Sequence, residues 1–321
     1  MGILNYCSWG ADALDYAVPG TIQTSASYVG ADGFALIQGP ARIPTNSLST
    51  DIWACSKTYF SAVGFRSEQP LRFFAQDGTT TIAYLASSTA ETFTLWVNIG
   101  GTLTNVGTSA VQALGTNSRI DAHLVIGVSG SVEVFANGTS ILSWSGDNSN
   151  GGAYTSCESV EFDGYASNAA GNPLWCLIAD EDTRVFDCQQ IIPTGAGAHT
   201  DFGAYTSVDD FAADPYTDFA SSTTVGDKLS AACTDPLARF STGYDVVGVA
   251  VTARARAGNG SPRLKPLIRH GGVDATGDAA LLNGTDSATK HLFTVNPSTG
   301  LPWTYAELAS MEIGCEVAAP A

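Results

Sequence analysis

The densest group of chemically able side chains is Glu158-Ser159-Val160-Glu161-Phe162-Asp163-Gly164-Tyr165. Side chains alternate along an extended strand, so Glu161 and Asp163 share one face while Glu158, three residues from Glu161, takes the other. Two carboxylates on one face are the raw material of glycoside hydrolysis, whose retaining form sets a nucleophile and an acid/base about 5 Å apart. The next alternate position is Tyr165 and then Ala166, so the set lacks a further acid. The pair therefore reads as a solvated outer strand face. No catalytic residue is assigned, and the chain is expected to be non-enzymatic.

Asp180-Glu181-Asp182 could gather a Ca²⁺ ion, because hard cations take loop carboxylates. The run lacks the alternate oxygen spacing and the glycine of a dedicated calcium loop and reads as an acidic inter-strand turn. No cofactor is expected, with Ca²⁺ the alternative. Five of the 14 basic residues, Arg254, Arg256, Arg263, Lys265 and Arg269, fall on two strand-like runs expected to neighbour one another. They form either a charged wet face or a docking surface for an acidic neighbouring subunit or for anionic surface glycans. Trp96 and Trp144 are the candidate sugar-stacking rings, since an indole packs on the apolar face of a pyranose; in a sandwich, tryptophan more commonly belongs to the core. No nucleophile elbow, phosphate loop or dinucleotide fingerprint is present.

The elements that must hold these side chains are strands. Of the 321 residues only 14% are charged, and 34 are glycine, a composition poor in the Glu and Lys that coat surface helices. The net charge of -17 removes the phosphate attraction behind nucleic-acid binding and disfavours anionic membranes. No apolar run of membrane-spanning length and no secretory signal is visible. The seven cysteines, at 7, 55, 157, 176, 188, 233 and 315, are scattered without a CxxC pair and read as reduced, small buried hydrophobes.

Phe93, Leu95, Val97 and Ile99 alternate with Thr92, Thr94, Trp96 and Asn98, the pattern of a half-buried strand. Ile120 to Val128, Val132 to Ala136 and Ser140 to Trp144 continue a meander, with Asn137-Gly138 as a type I′ hairpin signal. Ile22 to Tyr28, Phe34 to Gln38, Tyr59 to Phe65, Leu71 to Phe74 and Thr80 to Ala86 read as further strands. Leu174 to Ile178 is a buried strand, Val185 to Ile192 another, and Pro193-Thr194-Gly195-Ala196-Gly197-Ala198 a break that opens a second domain. Beyond a loop-rich stretch from Asp201 to Thr234, strands are expected over Tyr244 to Arg256 and Arg263 to His270, joined by a turn at Gly258-Asn259-Gly260-Ser261. Thr304-Tyr305-Ala306-Glu307 is a capping box, with Trp303 and Leu308 as its staple, and predicts a helix from Tyr305 to Ser310 before a last strand to Val317.

Arg119 to Trp144, RIDAHLVIGVSGSVEVFANGTSILSW, resembles the strand-turn-strand of concanavalin A and laminin-G-like jelly rolls. IADEDTR, IIPTGAGAHTDFGAYTSVDD, VVGVAVTARARAG, LIRHGG and TVNPSTGLPWTYAELASMEIGCEV are similar, in order, to segments of tailed-bacteriophage virion proteins in which a lectin-like sandwich precedes a smaller β-domain. The resemblance implies an all-β chain with a jelly-roll sandwich at 1–190 and a smaller β-domain at 191–321. It also implies a virion component assembled in the host cytoplasm and exposed as a tail fibre or tip, or as a head decoration. The expected partners are other virion proteins, copies of the same chain with a trimer favoured, and a host surface glycan. Lectin-like sandwiches also carry β-glucanases, whose E-x-D-x-E core Glu161 and Asp163 match only in part, which leaves a depolymerase as the alternative.

Overall fold

The computed structural model describes residues 3–7, 23–29, 35–60, 68–88, 90–114, 118–164, 170–188, 191, 193–207, 219–233, 245–258, 262–282 and 287–320. The chain divides into two compact units, Met1–Cys188 and Gln189–Ala321, and both are built of antiparallel strands.

The first unit contains β1 (Ile3–Cys7), β2 (Gln23–Val29), β3 (Ala35–Ser49), β4 (Asp51–Phe60), β5 (Glu68–Ala75), β6 (Thr81–Ser87) and β7 (Phe93–Ile99). It continues with β8 (Thr102–Thr108), β9 (Ser118–Val125), β10 (Gly130–Ala136), β11 (Thr139–Gly146), β12 (Cys157–Gly164) and β13 (Ala170–Ala179). Six of these form a sheet in the order β1-β13-β4-β9-β10-β11, and seven form a second in the order β2-β3-β12-β5-β6-β7-β8. The inner faces share one core: Ile43, Phe73, Leu85, Phe93 and Phe162 from the seven-stranded sheet meet Ile52, Ile120, Leu124, Val134 and Ile178 from the six-stranded one. Each such side chain contributes roughly 1.5–3 kcal/mol by leaving water, and this burial is what selects the register. The all-β jelly-roll-like sandwich expected from the sequence is the architecture observed.

Turn chemistry sets the hairpins. Asn137 (φ 47°) and Gly138 (φ 80°) supply the two positive φ angles of the turn between β10 and β11, and Gly100 and Gly101 do the same between β7 and β8. Ile99, expected inside with Phe93, Leu95 and Val97, is 38% exposed because the strand ends at that turn. The strand expected at Tyr59 to Phe65 is instead the end of β4, and residues 61–67 lie outside the described set.

The junction departs from expectation in two places. Thr183–Val185 is a single 3-10 turn, where a strand was expected to begin at Val185. Asp182 caps that turn by accepting the Arg184 N–H at 2.9 Å, and Val185 stays exposed. Pro193 to Ala198, expected to break the chain, lies within strand β14 (Pro193–Thr200). Gly197 serves close approach rather than turning: a Cβ there would lie 2.6 Å from Glu312 Oε2.

In the second unit β14 is followed by β15 (Lys228–Cys233), β16 (Val249–Ala255), β17 (Arg263–His270), β18 (Val273–Thr276), β19 (Ala280–Leu281), β20 (Ser287–Phe293) and β21 (Glu312–Ala318). The main sheet runs β14-β15-β21-β17-β18, with β19 also on β17, and β16 pairs with β20 in a separate ribbon. Val249, Val251 and Phe293 of the ribbon pack with Ile268 of the sheet and with Trp303, Leu308 and Met311. The helix expected from Tyr305 to Ser310 is present as a 3-10 helix, and Glu307 Oε2 accepts the Thr304 N–H at 2.7 Å. The Gly258–Ser261 turn falls mainly on residues outside the described set.

Candidate functional site

The two outer faces of the sandwich differ. The outer face of the six-stranded sheet is covered by the segment leaving β13. Asp121, fully buried there, accepts Arg119 Nε at 3.1 and 3.0 Å and Thr183 Oγ1 at 2.7 Å. Arg119 also donates to the Thr183 and Phe186 carbonyls, so a buried charge pair fastens the exit segment. Arg184 lies 4.0 Å above the Phe135 ring, and Trp53 stacks on His123 at 4.2 Å.

The outer face of the seven-stranded sheet instead presents one continuous row. Pairing register sets Arg42 opposite Glu161, Glu161 opposite Arg72, Arg72 opposite Tyr84, Tyr84 opposite Trp96 and Trp96 opposite Asn105. Each alternates with core residues of its strand, such as Ala41 and Ile43 around Arg42, Leu71 and Phe73 around Arg72, and Leu95 and Val97 around Trp96. All six therefore project from the same face. Directly opposed side chains stand about 5 Å apart, so the row is a strip of neighbouring groups across six strands.

Along the strip the chemistry changes from charged to aromatic. Tyr84 and Trp96 lie parallel, 5° apart in plane with centroids at 5.7 Å, and both are half-buried. The two arginines flanking Glu161 are used differently. Arg42 donates from Nε to Ser159 Oγ at 2.7 Å and from Nη2 to the Gly78 carbonyl at 2.5 Å, reaches Glu158 at 3.4 Å and stacks 3.6 Å over Phe74. Arg72 approaches Glu161 only at 3.6 Å, and its buried Nε finds no hydrogen-bond partner. Two residues along β7 from Trp96, Asn98 is 4% exposed and its Oδ1 also lacks a partner.

Glu161 and Asp163 do share a face, as the spacing requires, and Glu158, expected on the other, joins them against Arg42 because the register shifts between Cys157 and Ser159 and turns Cys157 into the core; that face is not open water. Glu161 is 9% exposed. Burial, together with the neighbouring Glu161 charge, raises the Asp163 carboxyl to about 6, against a smaller opposing pull from Arg72. Glu161 beside Arg72 and an Asp163 carboxyl that holds its proton up to about pH 6 thus form two acids in contrasting surroundings.

The remaining sequence candidates disperse. Trp144 lies on β11 of the other sheet and packs against the core, so it does not join Trp96. Asp182 is engaged by Arg184 at 2.6 Å, and that hydrogen bond lowers its pKa. Among the described residues no group of three metal-ligating side chains is assembled. Arg254 belongs to the β16–β20 ribbon and Arg263, Lys265 and Arg269 to β17 of the main sheet, with Arg256 one residue beyond β16. They are not on adjacent paired strands as expected, because β16 took β20 as its partner. Lys265 meets Glu316 at 3.1 Å and Arg269 meets Asp274 at 2.5 Å, so both are ion-paired within the unit. Arg42, Arg72, Tyr84 and Asn105 were not singled out from sequence. Each carries the period-2 signal of its strand, but only register joins them.

No protein-family model matches the chain, and no curated protein matches it. Among solved structures it is similar to the CBM40 of the Ruminococcus gnavus IT-sialidase bound to alpha2,3 sialyllactose, with 12% identity, 46% of this chain and 88% of that one covered, and a TM-score of 0.31. It is also similar to the alginate lyase Aly36B, with 13% identity, coverage of 56% and 95%, and a TM-score of 0.30. The Trypanosoma rangeli sialidase aligns at 7% identity over 53% of this chain and 30% of its own, with a TM-score of 0.38. At these values the likeness concerns fold class alone. The expectation of a non-enzymatic chain rested on a solvated Glu161–Asp163 face and is withdrawn, because Glu161 is buried and burial raises the Asp163 carboxyl.

Proposed function

We propose that the outer face of the seven-stranded sheet is a glycan-binding surface and that the chain serves as a carbohydrate-recognition protein. The observation that carries this reading is the Arg42–Glu161–Arg72–Tyr84–Trp96–Asn105 row. A parallel aromatic pair offers a stacking platform for a pyranose ring, and charged and amide groups beside it can bond the ring hydroxyls. Replacing Trp96 by Ala is expected to weaken binding to a glycan array ligand at least tenfold, with the far-UV circular dichroism unchanged. Undiminished binding by the folded variant would overturn the assignment.

A second reading is favoured by one observation, the contrast between Glu161 and Asp163. Residues two apart on a strand stand about 7 Å apart, within the range of paired carboxylates in glycoside hydrolysis. Asp163 would protonate the leaving oxygen while Glu161 takes a proton from the attacking water. Release of reducing ends from a bound polysaccharide, lost in both Glu161→Gln and Asp163→Asn, would establish it; no release by the unmodified chain would dismiss it.

A place on a tailed-phage particle, with other virion proteins and further copies of the chain as partners, is part of the proposal. It rests on the sequence resemblance from the end of the sandwich to the C-terminal strand. Such a part recognises a host surface glycan while the rest of the chain serves attachment. Gold-labelled antibody on intact particles should mark the tail or the head surface, and particles without label would refute the placement.

A further inference from the structure

We propose that the row takes an acidic sugar, the ligand's carboxylate engaging the Arg72 guanidinium while its ring stacks beside Tyr84 and Trp96. This rests on the glycan-binding reading and adds the ligand's charge to it.

The argument comes from the contrast between two arginines on either side of one glutamate. Arg42 is satisfied inside the protein by Ser159, the Gly78 carbonyl, Glu158 and the Phe74 ring. Arg72 holds only a long ion pair to Glu161 at 3.6 Å and distant stacking over the Phe74 and Tyr84 rings at 5.7 and 5.9 Å, has a buried Nε without a partner, and keeps 29% of its side chain exposed beside the aromatic pair. A guanidinium offers five donors in a planar fork, and Arg72, with Nε unbonded and Nη1 only loosely paired, leaves that fork poorly satisfied at a half-buried position. A planar carboxylate is the group that fork matches, with two parallel hydrogen bonds. A neutral hydroxyl would answer only one of them.

Local charge agrees. Arg42 and Arg72 balance Glu158 and Glu161, so with Asp163 protonated the row is neutral and an anion meets no net repulsion. The groups facing Asp163 are Glu161 on its own strand and Arg72 on β5, with Arg42 of β3 beyond Glu161. Because burial and Glu161 raise Asp163 to about 6, the row gains a negative charge as pH rises through that value. Asp163 therefore keeps most of its proton at pH 5 and has lost most of it by pH 7.5, so the preference for an acidic sugar falls between those values.

The test measures the affinity of the full chain for a uronic-acid oligosaccharide and for its carboxyl-reduced neutral counterpart, by calorimetry at pH 5 and pH 7.5. The expected result is at least a tenfold preference for the uronate at pH 5, falling several-fold at pH 7.5. Arg72→Met should bring the ratio of the two affinities to about one, and Arg72→Lys, which retains the charge but not the fork, should leave an intermediate ratio. Circular dichroism checks that each variant folds. Equal binding of both sugars by the unmodified chain, abolished by Trp96→Ala, would overturn the acidic specificity and leave the glycan-binding reading standing. Binding of neither sugar, together with an empty glycan array, would overturn both.

Discussion

Replacing Asp163 by Asn tests the electrostatics of the row without any ligand. The carboxyl moves from an ordinary 3.8 to about 6 in the folded chain, chiefly through burial and secondly through Glu161. A folded-state pKa raised in this way means that stability present below about pH 4 is lost as pH rises through about 6, and stays lost above it. The interval corresponds to roughly 3 kcal/mol at 1.36 kcal/mol per pH unit, and partial solvent contact reduces this to about 2 kcal/mol. Asn keeps the shape and cannot ionise. The variant is therefore expected to match the parent at pH 4 and to exceed it by about 2 kcal/mol at pH 8. Urea unfolding followed by tryptophan fluorescence suits the measurement, because five of the six tryptophans lie in the first unit. Equal stability differences at pH 4 and pH 8 would refute a desolvated Asp163 and, with it, the charge argument for the row.

Asp121→Ala leaves Arg119 buried without its partner, and a loss of about 3–5 kcal/mol is expected in the same unfolding assay, with the exit segment from Thr183 to Phe186 losing hydrogen-exchange protection. Gly197→Val drives a Cβ into Glu312 Oε2 and displaces the Ala198 N–H bond to that atom at 2.7 Å; a loss of about 1–3 kcal/mol should appear as a lower unfolding midpoint of the second unit. Burial alone would raise Asp274, but hydrogen bonds from Lys228, Arg269 and His199 outweigh it and hold its carboxyl far below the usual range. Stability from that cluster is present above about pH 4 and lost as pH falls, so Asp274→Asn should flatten the acid side of the second unit's stability profile, read by Trp303 fluorescence.

Much of the strand content was legible because alternation is a local signal. Phe93, Leu95 and Val97 against Thr94 and Trp96, and the Asn137-Gly138 turn, need only residues a few positions apart. The capping box at Thr304 and Glu307 is local in the same sense and fell where the spacing indicated. What failed was the meaning of small residues. Pro193 to Ala198 reads as a break, yet its Gly197 lets β14 approach Ser230 and Glu312, residues distant along the chain. The basic residues were misjudged for a related reason: β16 and β17 follow one another in sequence but pair elsewhere, with β20 and with β21, β18 and β19.

By itself the sequence determined the class of the fold, its hairpins and, away from bulges such as the one at Glu158, the side a strand residue takes, since all three follow from period-2 burial and from backbone preferences at single turns. It also placed Glu161 and Asp163 on one face. Only tertiary structure decided what that face contains, because Arg42, Arg72, Tyr84, Trp96 and Asn105 come from five strands brought together by register. Burial then changed the chemistry of the pair. A carboxylate that would be solvated on an isolated strand holds its proton at Asp163 because the sheet removes water and sets Glu161 beside it.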